Sequence, residues 1–345
     1  MTTDVTRVEI PTAFDICAPL TQVATKTYDS NGKLIRNTRR YELGWIDDPN
    51  YTPRKASDPP TKPLSVGSVT SIIDNQLRNF GLEWWRERWI RDGMEDNDGR
   101  MLTAELSQSI LSASSQEADS SAALGVELHS ALQEMLLIDP KYNMLDSLQN
   151  HLGYWSEQLD PALRGALHWR KTHSNLRLIG TELGVWCHQD RLAELGIEEI
   201  NNHGISYGGQ VDALFQTDDI LVAVDWKSSS GIYQSAAMQL AAYCYALEDM
   251  LEHRQSTLGN LNGHSSIPSR VMGLIVRFDN GYPKKANGSK DRSQPKVFSG
   301  KVEEARVTVA DWFPSFMNCY YLAQSRKRKV AVTSLPVPTP GGNTL

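Results

Sequence analysis

GGQVDALFQTDDILVAVDWK, residues 208–227, is the stretch whose reading decides the fold. Its second half, ILVAVDWK (220–227), is a continuous apolar run that ends in charge, the pattern of a central strand buried on both faces. GGQVDALF reads as its partner strand, and Thr217, Asp218 and Asp219 make the polar break between the two runs. A two-residue turn at 218 and 219 would pair position 216 with 221, 215 with 222, and so on up to Asp212 with Asp225. Side chains alternate along a strand, so Asp225 and Lys227 share one face and Trp226 takes the other.

That register carries a chemical expectation. Two carboxylates facing each other beside an apolar strand repel, and each loses hydration. A divalent cation resolves both problems, and hard oxygen ligands suit Mg²⁺ or Mn²⁺. Such an ion lowers the pKa of a water and polarises a phosphoryl oxygen, with Lys227 beside the developing charge. The Asp-x-Lys tripeptide alone is weak, because Asp139-Pro140-Lys141 matches it as well. An ordinary surface hairpin with ion pairs is the competing reading, and only Asp225 closes an apolar strand with a second acid at hairpin spacing.

Working outward, the elements alternate. A helix is expected in LGVELHSALQEML, a strand over Leu176–Trp186, the hairpin, a helix from Tyr233 to Leu251, a strand in VMGLIVRF, another near Val297, and a last helix from Ala310 to Gln324. The mixture predicts an α/β fold: a small mixed central sheet flanked by helices at 120–330, with an N-terminal helical arm. Residues 1–60 contain short β-like pieces around Ser30-Asn31-Gly32 and a Pro- and charge-rich run, and read as an irregular arm. Helical spacing from Val69 to about Leu106 makes 61–110 a helical arm. The Ser-rich stretch SQSILSASSQEADSS, from residue 107, reads as a linker or mobile loop, and 331–345 as a disordered tail.

Composition narrows the partners. A formal charge of −6 excludes a uniformly basic nucleic-acid coat, so any phosphate-binding surface must be local. Cys17, Cys187, Cys244 and Cys319 are far apart and form no CxxC pair, which argues against a zinc site or a dense disulfide framework. The first residues carry no basic and apolar leader, and no apolar run approaches the roughly 20 residues that cross a bilayer. A soluble, cytoplasmic chain without a membrane partner is expected.

Four further positions sharpen the site. His129 sits at the edge of a core stripe of Leu124, Leu128, Leu132 and Leu136, where a boundary histidine and a ligand are both open readings. Gly125, one turn earlier, permits close approach of another chain or simply starts the helix. Strand alternation puts Ile179, Leu183 and Val185 on one face and Glu182 on the other, as a further acid or a solvent-facing one. Gln239 and Tyr243, four apart on a helix beside Ala237, Leu240, Ala241 and Cys244, share a shoulder.

Taken in order, His129, Glu182, Gly209-x-x-Asp212, Asp225-Trp226-Lys227 and Gln239-x-x-x-Tyr243 resemble the RecB-like exonuclease branch of the PD-(D/E)XK nuclease superfamily. With SVTSII near residue 70 and the Trp-rich helix after it, the chain resembles mitochondrial genome maintenance exonucleases and their phage and bacterial relatives. The resemblance implies that His129, Asp212, Asp225 and the main-chain carbonyl of Trp226 are metal ligands and Lys227 the catalytic lysine. Gln239 and Tyr243 would support the site or the DNA, with Glu182 at a less constant position. The resemblance further implies a restriction-endonuclease-like core at 120–330, with the helical arm of 61–110 over a channel for the substrate; that substrate is DNA, often single-stranded and entered from an end. Trp84, Trp85 and Trp89 with Arg86, Arg88 and Arg91 are stacking and phosphate-contact candidates, or core tryptophans with solvated arginines. Lys284 to Lys296 and Arg326 to Lys329 are candidates for widening an electrostatic track, or a solvated loop and terminus. No iron–sulfur cluster is expected, because Cys187 and Cys244 fall inside core elements. An endonuclease, or a silent DNA-binding module on the same fold, stays open at this point.

Overall fold

The computed structural model describes the backbone at residues 2–10, 20–28, 34–43, 64–77, 80–137, 155–196, 205–258, 270–286, 291, 294 and 296–325, with side chains from residue 66 onward except at 80–86, 114 and 253–258. Nine strands are joined in one mixed sheet. Strands β1 (Thr2–Ile10), β2 (Leu20–Tyr28) and β3 (Leu34–Leu43) form an antiparallel meander that reaches β4 (Leu64–Ser68). The short β pieces expected near the N-terminus are thus strands of 9 and 10 residues, ordered by pairing to one another rather than by any apolar run of their own.

The centre of the sheet is β6 (Ile205–Gln216). Strand β5 (Arg177–His188) runs antiparallel along one edge of it. The other edge is shared: β4 pairs in parallel at Tyr207 and Gly208, and β7 (Leu221–Lys227) pairs antiparallel from Ala213 to Gln216. Gly209 to Asp212 therefore pair with neither, and the sheet forks there. The register expected from the sequence holds from Gln216, across from Leu221, back to Ala213, across from Val224, but the ladder ends there, so the expected pair of Asp212 with Asp225 is not one of its rungs. Thr217 closes the turn, its N–H donating to the Ile220 carbonyl at 2.9 Å while its Oγ1 accepts from the Ile220 N–H at 3.1 Å. Beyond β7 come β8 (Val271–Gly281), parallel to it, and β9 (Val297–Val307), antiparallel to β8.

Helices cover both faces. On one, α1 (Val69–Gln76), α6 (Gln234–Leu258) and α7 (Val309–Ser325) pack against Leu183, Val185, Val211, Ala223 and Ile275. On the other, α3 (Ala104–Leu137) and α4 (Asp160–Thr172) pack against Phe215, Val222, Val224, Trp226 and Phe278. The leucine stripe of α3 is buried as its spacing predicts, with Leu128 and Leu132 fully covered. Each such side chain contributes roughly 1.5–3 kcal/mol of apolar transfer. Two further α-helices among the described residues are α2 (Phe80–Glu95) and α5 (Gln189–Ala193).

Two expectations need correction. The helical region 69–106 is broken into α1 and α2 and ends at residue 95, and the Ser-rich stretch is no linker but the first half of α3. Thr103 caps that helix, its Oγ1 accepting from the Leu106 N–H at 3.2 Å, and Ser107 and Ser112 return their hydroxyls to the carbonyls of Thr103 and Ser109. Ile110 is buried against Gly93 of α2, where even a Cβ would come 3.1 Å from its Cγ2. Serine's weak preference against helix is overcome by packing along one face, where Ile110 is buried and Leu106, Ala113 and Glu117 are half-buried. Gly125 is consequently a mid-helix residue and not a helix start.

Candidate metal and catalytic site

The fork between β6 and β7 places the acids. Val211 faces the α1/α6/α7 layer and Ala213 the α3/α4 layer, although a regular strand would put both on one face. The change of face occurs at Asp212. On β5 the residues flanking Glu182 pair with the residues flanking Asp212, so the register sets these two acids opposite each other. Glu182 adopts φ +52°, in the left-handed region, which costs a non-glycine residue about 1–3 kcal/mol and persists only where the surroundings impose it. Its carbonyl accepts from Gln210 Nε2 at 3.2 Å. A register shift between Leu178 and Gly180 precedes it and turns Ile179 outward, 36% exposed, away from Leu183 and Val185 and contrary to simple alternation.

Asp212 and Asp225 have different surroundings. Asp212 Oδ2 accepts the Trp226 main-chain N–H at 2.7 Å, and its Oδ1 lies 3.6 Å from His129 Nδ1. Burial pushes this carboxyl up, but His129, Lys227 and the Trp226 N–H outweigh it and hold it below the ordinary carboxylate range. Asp225 is buried, and Lys227 Nζ lies 2.8 Å from its Oδ1 and 2.7 Å from its Oδ2. Hydrogen-bonding geometry is met at Oδ1 and not at Oδ2, so the buried Oδ2 keeps its accepting capacity. Burial, reinforced by Asp212, raises Asp225 to about 6 against the pull of Lys227. Burial and Asp212 likewise raise Glu182 to about 7. Burial acts to lower Lys227, but Asp225 and Asp212 overcome it and raise it, so the amine is an ammonium at neutral pH.

His129, Glu182 and Asp212 each offer a ligand atom, and these lie within 4.8 Å of one another. That spacing, with two hard oxygens and an imidazole, fits one divalent cation. Asp225 stands beside the group, engaged by Lys227. The helix bearing His129 approaches closely because position 125 is glycine: a Cβ there would come 2.9 Å from Ser228 Oγ.

Gln239 and Tyr243 come together on α6, with Gln239 Nε2 donating to Tyr243 Oη at 2.8 Å and to Thr70 Oγ1 at 3.2 Å. The Tyr243 ring occupies the space above Gly209, where a Cβ would fall 2.1 Å from Cε1. This contact accounts for the glycine three residues before Asp212. Trp89 is half-buried with its ring 6.2 Å from that of Tyr282, and Arg88 and Arg91 are exposed. The side chains of Trp84, Trp85 and Arg86 lie outside the described residues, as do Cys17, Asp139 to Lys141 and the run 326–329. Cys187, Cys244 and Cys319 are buried, and none of the three is in a disulfide.

Sequence reasoning passed over Arg277 and Asn280, whose side chains hold the loop after Lys227. The one available signal was a charged residue inside the apolar run VMGLIVRF. Among the described residues no helix is long and apolar enough to cross a membrane.

The sequence matches the family model of the PD-(D/E)XK nuclease superfamily over residues 102–316. Among solved structures, the crystal structure of SSO0001 matches at 13% identity, covering 69% of this chain and 86% of that one, with a TM-score of 0.26. No curated protein matches significantly.

Proposed function

Because the chain belongs to the PD-(D/E)XK nuclease superfamily, we propose that it is a Mg²⁺- or Mn²⁺-dependent deoxyribonuclease, an exonuclease acting on single-stranded ends. The observation that carries this reading is the juxtaposition of a His129–Glu182–Asp212 group with the Asp225–Lys227 pair at the fork of the sheet.

His129, Glu182 and Asp212 would hold the ion, with Asp225 and the Trp226 carbonyl as further ligands by kinship. A bound divalent cation supplies an acidified water and polarises the scissile phosphate. Lys227 stays charged and donates a hydrogen bond where negative charge develops on the phosphoryl oxygens. The Trp226 N–H fixes the direction of the Asp212 carboxylate, and Tyr243 with Gln239 buttresses β6 from behind. Preference for a single strand is supported by Trp89 beside Tyr282, with exposed Arg88, Arg91, Lys284 and Lys285 nearby in sequence. In this reading the helices of 61–110 are the arm over the channel, and the core spans 120–330.

End-labelled linear and closed circular single strands, each incubated with Mg²⁺ and with Mn²⁺, test the proposal. Loss of the linear strand with survival of the circle is expected, and Asp225→Ala and Lys227→Ala abolish it while DNA binding persists. Cleavage of the circle replaces the exonuclease reading with an endonuclease, and no cleavage of either strand by the wild type overturns the nuclease reading.

A further inference from the structure

We propose that Arg277 and Asn280 are positioning residues that clamp the main chain immediately after Lys227 and thereby hold the lysine against the His129 group; this role rests on the nuclease reading, but the clamp itself does not.

Arg277 lies beside Lys227 in the parallel β7–β8 register. Its side chain is 5% exposed, an uncommon place for a guanidinium, since a buried charge costs several kcal/mol unless paired and hydrogen-bonded. The pairing is present: Nε and Nη2 donate to Glu303 at 3.0 and 2.7 Å, and Nη1 donates to Asp279 at 2.9 Å. Nη1 also donates to the Ser229 carbonyl at 2.7 Å. Asn280, buried too, donates its Nδ2 to the Ser228 carbonyl at 2.8 Å. Two consecutive carbonyls beyond the lysine are thus tied to one neighbouring strand.

Positions 277 and 280 would point to opposite faces of a regular strand. The β8–β9 register shifts between Phe278 and Asn280, and this bulge brings both side chains onto the same loop. The loop also meets α3, with Ser228 Oγ over Gly125, one turn before His129. Clamping Ser228 and Ser229 therefore sets the separation between the strand that carries Lys227 and the helix that carries His129. The carboxylates that neutralise Arg277 sit on β8 and β9, behind the loop, and take no part in the His129 group. A lysine at 277 keeps the charge but lacks the planar fork that serves Glu303, Asp279 and the Ser229 carbonyl together.

Amide hydrogen exchange on the whole chain, paired with steady-state cleavage of a linear single strand, tests this. In Arg277→Lys and in Asn280→Ala, exchange at residues 228–233 is expected to rise about tenfold while that of β5 and β6 is unchanged. Turnover is expected to fall about tenfold or more with KM within about twofold, because small misplacement of a catalytic group affects kcat. Lys301→Ala, which removes a Glu303 partner without reaching the loop, should leave both readouts unchanged. Unchanged exchange at 228–233 in both variants overturns the clamp whether or not the wild type cleaves DNA. Raised exchange with wild-type turnover overturns the positioning role, and equal loss in Lys301→Ala does so as well. A wild type without nuclease activity defeats the nuclease reading, and with it the catalytic role, while exchange still decides the clamp.

Discussion

Asp212 Oδ2 accepts the main-chain N–H of Trp226 at 2.7 Å, in the place where the β6–β7 ladder has just ended. A side chain has replaced a backbone carbonyl as the acceptor, and this satisfies a donor that the fork would strand. The same carboxylate offers its other oxygen to the His129 group.

Asp212→Asn separates those two duties. Its amide oxygen still accepts from Trp226, so the melting temperature of the metal-free protein should change by only a few degrees, whereas Asp212→Ala leaves the buried N–H unpaired at a cost of about 1–3 kcal/mol. Both variants lose the charge that binds the cation. In the wild type, Mn²⁺ at a hundred times its Kd should stabilise by about 2.7 kcal/mol, and in both variants by almost nothing. Thermal melts with and without Mn²⁺ read this directly, and full metal stabilisation of Asp212→Asn would remove Asp212 from the ligand set.

The two raised carboxyls give the metal-free protein an unusual pH dependence. Asp225 titrates at about 6 in the folded chain against 3.8 unperturbed, and Glu182 at about 7 against 4.5. The folded state holds these protons longer than the unfolded state does, so the contribution of these two groups to stability falls as pH rises between about 4 and 7. Asp225→Asn cannot lose a proton. Its melting temperature relative to wild type should therefore climb across that window in chelator, and a flat difference would show that Asp225 is not held protonated by burial.

Much of this architecture was legible in sequence where one local signal decides it. The run 220–227 names its own strand, and Thr217 to Asp219 name the turn, so the pairing partner of every residue back to Ala213 follows. Legibility stops where geometry departs from the repeat. The left-handed φ of Glu182, the bulge that turns Ile179 outward, and the fork at Asp212 break the two-residue alternation on which strand reading depends. The side-chain contacts of Tyr243 with Gly209 and of Arg277 with Ser229 join residues 34 and 48 positions apart, a distance no periodicity reports. The Ser-rich half of α3 misleads for another reason: propensity is a weak prior, and the packing of buried Ile110 against α2 outweighs it.

That helix makes its own prediction. Ser115 is exposed in the interior of α3, so Ser115→Pro should cost about 3 kcal/mol and lower the helical circular dichroism, whereas Ser115→Ala should stabilise by up to about 0.7 kcal/mol. Denaturant unfolding of the two variants distinguishes the cases. A proline tolerated without loss would mean that the segment is a loop in solution.

The contact between Gly209 and Tyr243 supports a double-mutant cycle. A Cβ at 209 would fall 2.1 Å from Tyr243 Cε1, inside a core where Tyr243 is 3% exposed and its Oη is held by Gln239. Neither ring nor strand can yield without disturbing β6, so Gly209→Ala should cost about 1–3 kcal/mol and displace Asp212, three residues on, with loss of metal stabilisation. Tyr243→Ala leaves a cavity, costing about 3–5 kcal/mol by analogy with other buried aromatics, but it also vacates the space a Cβ needs. Gly209→Ala introduced into Tyr243→Ala should then be close to neutral, a coupling of at least about 1 kcal/mol. Additive costs in denaturant unfolding would show that the glycine is required for backbone conformation alone and that Tyr243 does not determine residue 209.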